Sequence, residues 1–343
     1  MIKRLFLIAA AWAIGLPSLA AGAADQPAPG PSGLRIVARI DGPDGGWDYA
    51  SFDPARRRVY IAHADQVMAI DADDGEVMRS FAPGDHLHAV VPVPGGRMVV
   101  TTNSGDKTAR IIDAASGAVL TSVATADDPD GATFDPFSGL VVVIDGDVGE
   151  ATLVDPRTMS SPGAIAIGDR LEFPAADGRG RLYVNVESKN QVAAVDIASR
   201  KVVARYPMSG CERPTGLAYV AGDRLISVCG NGLAKILDAA SGREIASLKI
   251  GGFPDAVLYD PVRAMAYVPS ALSGTLAVIA LKGPADNTII DTVPTQLGAR
   301  TGAVDPETGR IWLPTAQYQP PATPGQRPTP KPGTFQVLVL DRR

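Results

Sequence analysis

The sequence predicts an all-β fold, a seven-bladed β-propeller whose ring is closed by an N-terminal strand completing the last blade. Three observations carry this. An aspartate recurs at the end of a short apolar strand, at Asp71, Asp113, Asp155, Asp196 and Asp238, with spacings of 42, 42, 41 and 42 residues. A second aspartate recurs in a turn of Phe-Asp-Pro type, at Phe52-Asp53-Pro54, Phe134-Asp135-Pro136, Tyr259-Asp260-Pro261 and Val304-Asp305-Pro306. A period of about 40 residues holding four short strands is the signature of propeller blades. Finally, 36 Gly and 29 Pro among 343 residues suit short strands joined by many turns better than long helices.

Residues 1–24 read as a secretory signal peptide. Lys3 and Arg4 form its positive start, Leu5 to Leu16 its apolar middle, and small residues from Ser18 to Ala24 offer cleavage points. The apolar run is shorter than the ~20 residues that a spanning helix needs. The expectation is an exported protein, periplasmic or secreted. Residues 25–33 are a Pro/Gly-rich lead expected to be disordered, and the propeller domain runs from 34 to 343. Leu34 to Ile40 alternates apolar and polar and has no partner before it. The repeats then start near Asp48, His88, Asp130, Glu172, Thr215, Asp255 and Arg300. The seventh unit runs Arg310 to Pro314, then Phe335 to Leu340, and stops where its outer strand would begin. The orphan strand Leu34–Ile40 supplies that strand and leaves no open circle. Two stretches break the period: Lys282 to Asn287, and the Pro-rich loop 316–333 of the last blade. So many prolines are expected to stay outside any ladder, as a stiff extended loop. It is either a lid at the face described next or a neutral insertion.

Because strands alternate direction within a blade, the start of an inner strand and the end of the second strand lie at the same mouth of the ring. One residue per blade at the first position gives Asp48, His88, Asp130, Glu172, Thr215, Asp255 and Arg300. Their neighbours include Trp47, Tyr49, His86, Phe173, Pro214 and Thr301. The second strands end in His63, Asn103, Asp145, Glu187, Cys229 and Thr315. All three histidines of the chain fall on this face. Polar and ionisable groups converging on a channel mouth are a candidate ligand site, here Trp47, Asp48, Tyr49, His63, His88, Asp130, Glu172, Phe173, Thr215, Asp255 and Arg300. The plainer alternative is solvated aspartates that cap their own turns. His63 and His88 with Asp48, Asp130 or Glu172 would suit a divalent metal ion, the one cofactor candidate; a His–Asp pair joining two blades is the alternative. Asp71 to Gly75 lacks the spacing of a calcium loop and reads as a β-turn. Cys211 and Cys229, the only cysteines, fall at neighbouring points of blade five, and in an exported chain they are expected to form a disulfide.

The formal charge of −5 becomes −7 once Lys3 and Arg4 are removed, which disfavours non-specific nucleic-acid binding. No GxSxG elbow, P-loop, Rossmann fingerprint, CxxC or CxxCH is present, so no motif points to a nucleophile. Trp47-Asp48-Tyr49, Phe52-Asp53-Pro54 with Arg58-Val59-Tyr60, Pro129-Asp130, Leu171-Glu172-Phe173, Cys211 to Ala218 with Cys229, and Ala299-Arg300-Thr301 with Leu313 to Ala316 resemble the YVTN-type β-propeller repeat proteins, the YncE-like family of exported seven-bladed propellers. The resemblance spans residues 34–341 and implies the fold and a periplasmic or secreted location, with little about activity. Family members often carry His-Gly where this chain has His63-Ala64 and His88-Ala89. The leading expectation is a monomeric exported propeller that binds a small molecule, metal ion or protein partner at this mouth without catalysis. The alternatives are a metal-assisted hydrolase or lyase using the same residues, and a scaffold that docks an exported partner on its rim.

Overall fold

The computed structural model describes residues 30–283, 287–319 and 328–342. Seven four-stranded antiparallel sheets stand around one axis as a seven-bladed propeller. The inner strands of blades one to six are Trp47–Asp53, Leu87–Pro92, Pro129–Asp135, Leu171–Ala176, Pro214–Val220 and Leu258–Asp260. Blade seven runs from Ala303–Val304 through Ile311–Thr315 and Gln336–Asp341 to Arg35–Asp41. The N-terminal strand thus pairs antiparallel with the last strand of the chain, Arg35 opposite Asp341 and Asp41 opposite Gln336. The ring closes as the orphan strand implied.

Second and third strands are buried on both faces and read as apolar runs, such as Val59–Ala62 and Val67–Ile70. Outer strands alternate, because one face meets water. Among the described residues the apolar core divides into seven clusters, one in each gap between neighbouring blades. The gap between blades three and four holds Val142, Ile144, Leu153, Leu182, Val184 and Val195. The gap that closes the ring holds Trp47, Ile61, Met68, Trp312, Val337 and Val339.

The two periodic aspartates cap turns at the face opposite the mouth. Asp53, Asp135, Asp260 and Asp305 accept bonds from amides two or three residues on. Asp71 takes the amides of Asp73 and Asp74, and Asp113 those of Ala115 and Ser116. These are Asx-turns, in which a short carboxylate replaces a backbone acceptor. Cys211 and Cys229 are disulfide-bonded, with Cα atoms 5.5 Å apart.

The Pro-rich loop departs from expectation at its base. Tyr318–Gln319 pairs with Thr329–Pro330, and the Lys331 amide donates to the Gln317 carbonyl. Proline is tolerated there because this two-residue ladder is an edge needing no further donor. Of the lead, residues 30–33 form a turn, and Ser32 donates through its amide and hydroxyl to Asp291 of blade six. The expected signal peptide 1–24, residues 25–29 of the lead expected to be disordered, residues 284–286 of the blade-six insertion and residues 320–327 of the Pro-rich loop lie outside the described residues.

Candidate functional site: the acidic mouth of the channel

A local irregularity builds the site. The inner strands of blades one to five each shift register just after their first residue, between Trp47 and Ala50, Leu87 and Val90, Pro129 and Ala132, Leu171 and Pro174, and Pro214 and Leu217. The second residue of each strand, namely Asp48, His88, Asp130, Glu172 or Thr215, sits in this β-bulge, free of the ladder. A bulge re-aims a side chain and frees backbone groups. Neighbouring blades satisfy the freed carbonyls: Thr301 Oγ1 donates to Asp48, Thr102 Oγ1 to Asp130, and Asn185 Nδ2 to Thr215. The bulges of blades one, three and five are therefore strutted from an adjacent blade. Close approach also requires a small residue, since a Cβ on Gly216 would lie 2.6 Å from Ala256 Cα.

Unlike the turn aspartates, the mouth carboxylates meet one another. Asp48 Oδ2 is 2.8 Å from His88 Nδ1, and Asp130 Oδ1 is 3.6 Å from the same nitrogen. His88 Nε2 is 3.1 Å from Ser104 Oγ. Arg300 donates from Nε to Asp255 Oδ2 at 2.8 Å and from Nη2 to the Trp47 carbonyl at 3.0 Å, with Asp48 Oδ1 3.6 Å from Nη2. The Arg300 guanidinium also lies over the Trp47 ring, 5.9 Å from its centre. The side chains of Asp48, His88, Asp130 and Asp255 are only 15 to 19% exposed, opening to the narrow channel and otherwise enclosed by protein.

This enclosure shapes the titration. Burial, then the charge of Asp48, pushes Asp130 up to about 8. Burial and the charges of Asp130 and Asp255 hold Glu172 well above the usual carboxylate range. Burial raises Asp255 to about 6 although Arg300 opposes it. For His88, burial acts downward, but the hydrogen bond to Asp48 and the charge of Asp130 outweigh it and lift the imidazole to about 9. The Tyr49 hydroxyl is raised by burial and by Asp255, Glu172, Asp130 and Asp48 together, which sets it among all four carboxylates. The mouth thus gathers four carboxyl groups beside two cationic side chains, and at neutral pH Asp130 and Glu172 hold their protons.

Asp48, His88 and Asp130 offer one nitrogen and two carboxylate oxygens within 4.8 Å of one another, a donor set that suits a divalent ion. His63 is not among them. It is fully buried, with its ring edge against Phe335 at 4.5 Å. Among the described residues its nitrogens have no hydrogen-bond partner, the carbonyls of Pro43 and His63 itself being near but out of bonding geometry. The second-strand end opposes the first inner residue, Trp47, and points into the interblade core rather than the channel. Trp47 is buried beside Phe335 and Tyr318. Phe173 packs on Tyr49 at 4.7 Å, and Thr215 is a strut donating to the Pro254 carbonyl. His86 is exposed, its ring 5.2 Å from that of His88. On the rim, buried Glu187 binds both Arg170 and Arg213 at 2.8 Å.

Sequence reasoning missed Ser104. It stopped at Asn103, the last residue of the second strand, whereas the residue that reaches His88 begins the following turn. A cleft of about 390 Å³ between blades four and five, lined by Asp177, Arg179, Arg181, Tyr183, Tyr206 and Asp223, opens on the opposite face. Its arginines are already paired, Arg179 with Asp223 and Arg181 with Asp196.

No protein-family model matches this sequence, and no curated protein sequence matches it. Solved structures do match in shape. A chain of Kuenenia stuttgartiensis hydrazine synthase aligns at TM-score 0.69 and 16% identity over 87% of this chain and 96% of that one. A chain of the mitotic checkpoint complex aligns at 0.72 and 14% over 98% and 99%. The RRP9 WD40 repeats align at 0.75 and 12% over 92% and 100%. At such identities the likeness shows the fold alone: the chain is similar to these proteins as a seven-bladed propeller.

Proposed function

We propose that the protein is an exported propeller of the YVTN type that binds a cationic small ligand at the acidic mouth of its channel. One observation carries the reading: Asp48, Asp130, Glu172 and Asp255 converge on one enclosed mouth, where His88 and Arg300 are the cationic side chains within 4 Å of them among the described residues. A bound cation, metal or amine, would take the place of the protons that Asp130 and Glu172 hold at neutral pH. Export is supported by the charged and apolar pattern of residues 1–24 and by the disulfide, which persists in oxidising compartments.

Calorimetric titration of the mature chain with Mn²⁺, Zn²⁺ and a short diamine tests this. Saturable binding that weakens about tenfold or more in Asp130→Asn and Glu172→Gln is expected. Absence of binding by all three probes overturns the reading. A second reading rests on the Asp48, His88 and Asp130 donor set. A divalent ion there would polarise a carbonyl for hydrolysis or elimination. It requires that chelator abolish turnover of a lactone or ester.

A further inference from the structure

We propose that Ser104, His88 and Asp48 form a nucleophile–base–carboxylate relay that cleaves esters at the rim of the mouth. The atoms stand in the order such a relay needs. Asp48 Oδ2 meets His88 Nδ1 at 2.8 Å, and the opposite ring nitrogen, Nε2, meets Ser104 Oγ at 3.1 Å. A carboxylate on Nδ1 fixes the tautomer, and once the imidazolium, lifted to about 9, has given up its proton, Nε2 is left to take that of the serine. The three residues come from separate elements: the bulge of blade one, the bulge of blade two, and the turn after the second strand of blade two. Asp48 is held from behind, its carbonyl by Thr301 and its carboxylate beside Arg300. Ser104 is half-buried at the rim.

The step balances without a further reagent. Ser104 Oγ attacks the acyl carbon as its proton passes to His88 Nε2. The alcohol leaves with that proton, and an acyl-Ser104 ester remains. Water then attacks this ester, giving its proton to His88, and the acid departs as Ser104 recovers its hydrogen. In the resting structure the Ser104 hydroxyl lies 3.2 Å from the His86 carbonyl and must turn towards Nε2. The amides of Ser104 and Gly105 are committed to the carbonyls of His86 and Asp85, so this turn contributes no free donor to an oxyanion. Turnover is accordingly expected to be slow, and covalent capture is the sharper readout. A preference for esters bearing a cationic group rests on the acidic mouth proposed above; the nucleophile does not.

The test treats the full mature chain with a neutral fluorophosphonate at about pH 9.5, above the His88 value, followed by intact mass and peptide mapping. One adduct on Ser104 is expected, absent in Ser104→Ala. Its rate should fall about a hundredfold or more in His88→Ala and Asp48→Asn, with folding verified by melting. No adduct on Ser104, or labelling that His88→Ala leaves unchanged, overturns the relay. Mapping the wild-type adduct keeps the test decisive even where a variant fails to fold. Ser104 labelling without preference between a cationic and a neutral acetate ester upholds the relay and overturns the cation reading alone.

Discussion

His63 and Asp145 occupy equivalent places in blades one and three, each opposite the first residue of an inner strand, Trp47 and Pro129. Both are fully buried and both carry polar atoms without partners. They should nonetheless answer to pH in opposite directions. Burial pushes Asp145 up to about 6, against the hydrogen bond from Thr152. The folded carboxyl then holds its proton more tightly than the unfolded one, near 4. Its stabilising contribution is complete below about pH 4 and is lost as pH rises through about 6. Asp145→Asn keeps an acceptor for Thr152 and removes the charge. Thermal melts should show it more stable than wild type by about 1–3 kcal/mol at pH 8, with the difference closing towards pH 4. Burial lowers His63 instead, so its contribution is present above about 6.5 and fades as pH falls below that value. His63→Leu should flatten the acid limb of the stability curve by up to about 1.4 kcal/mol per pH unit. An unchanged limb would show that His63 gains a partner when protonated.

At the scale of the strand, the bulge matters more than the residue it carries. Thr102 makes this testable. Its buried hydroxyl receives the Ala89 amide and donates to the Asp130 carbonyl, tying the bulges of blades two and three together. Thr102→Val preserves shape and strands both groups. Urea unfolding should register a loss of about 2–3 kcal/mol, and cation binding at Asp130 should weaken with it. Stability loss with unaltered binding would mean that the strut supports the fold alone. This element also marks what could be read in the chain. The strand-end aspartates announced the blades because an Asx-turn demands a short carboxylate at a set place. The bulge residues could be aligned by counting from those turns, which brought Asp48, His88, Asp130, Glu172, Asp255 and Arg300 to one mouth. Which way a side chain leaves the strand was not legible, because one residue of register decides between channel and core. His63 was therefore counted into the mouth, and Ser104, one residue beyond the strand, was left out.

Across the whole molecule, seven apolar slabs between blades replace a single central core, so no blade is stable without both neighbours. Blade seven differs from the rest in joining a strand from the start of the domain to three from its end. Leu34 is buried with Leu338 and Leu340 in the cluster shared with blade six, and Arg342 reaches back to the Ser32 carbonyl and to the Tyr267 hydroxyl. The N-terminal strand therefore covers the only edge of Gln336–Asp341 that Ile311–Thr315 does not pair. Its registered partners run from Arg35–Asp341 to Asp41–Gln336. Removing residues 1–41 would expose that edge, and an exposed apolar edge recruits another chain. The truncated protein should elute from size exclusion as larger species than the chain that keeps the strand, and melt well below it. Added peptide spanning residues 30–41 should reverse both changes, because the missing strand can be supplied in trans. A truncated chain that forms no larger species and has an unshifted melt would show that the six complete blades and the three remaining strands close the ring unaided, and that the terminal strand serves only as a cover.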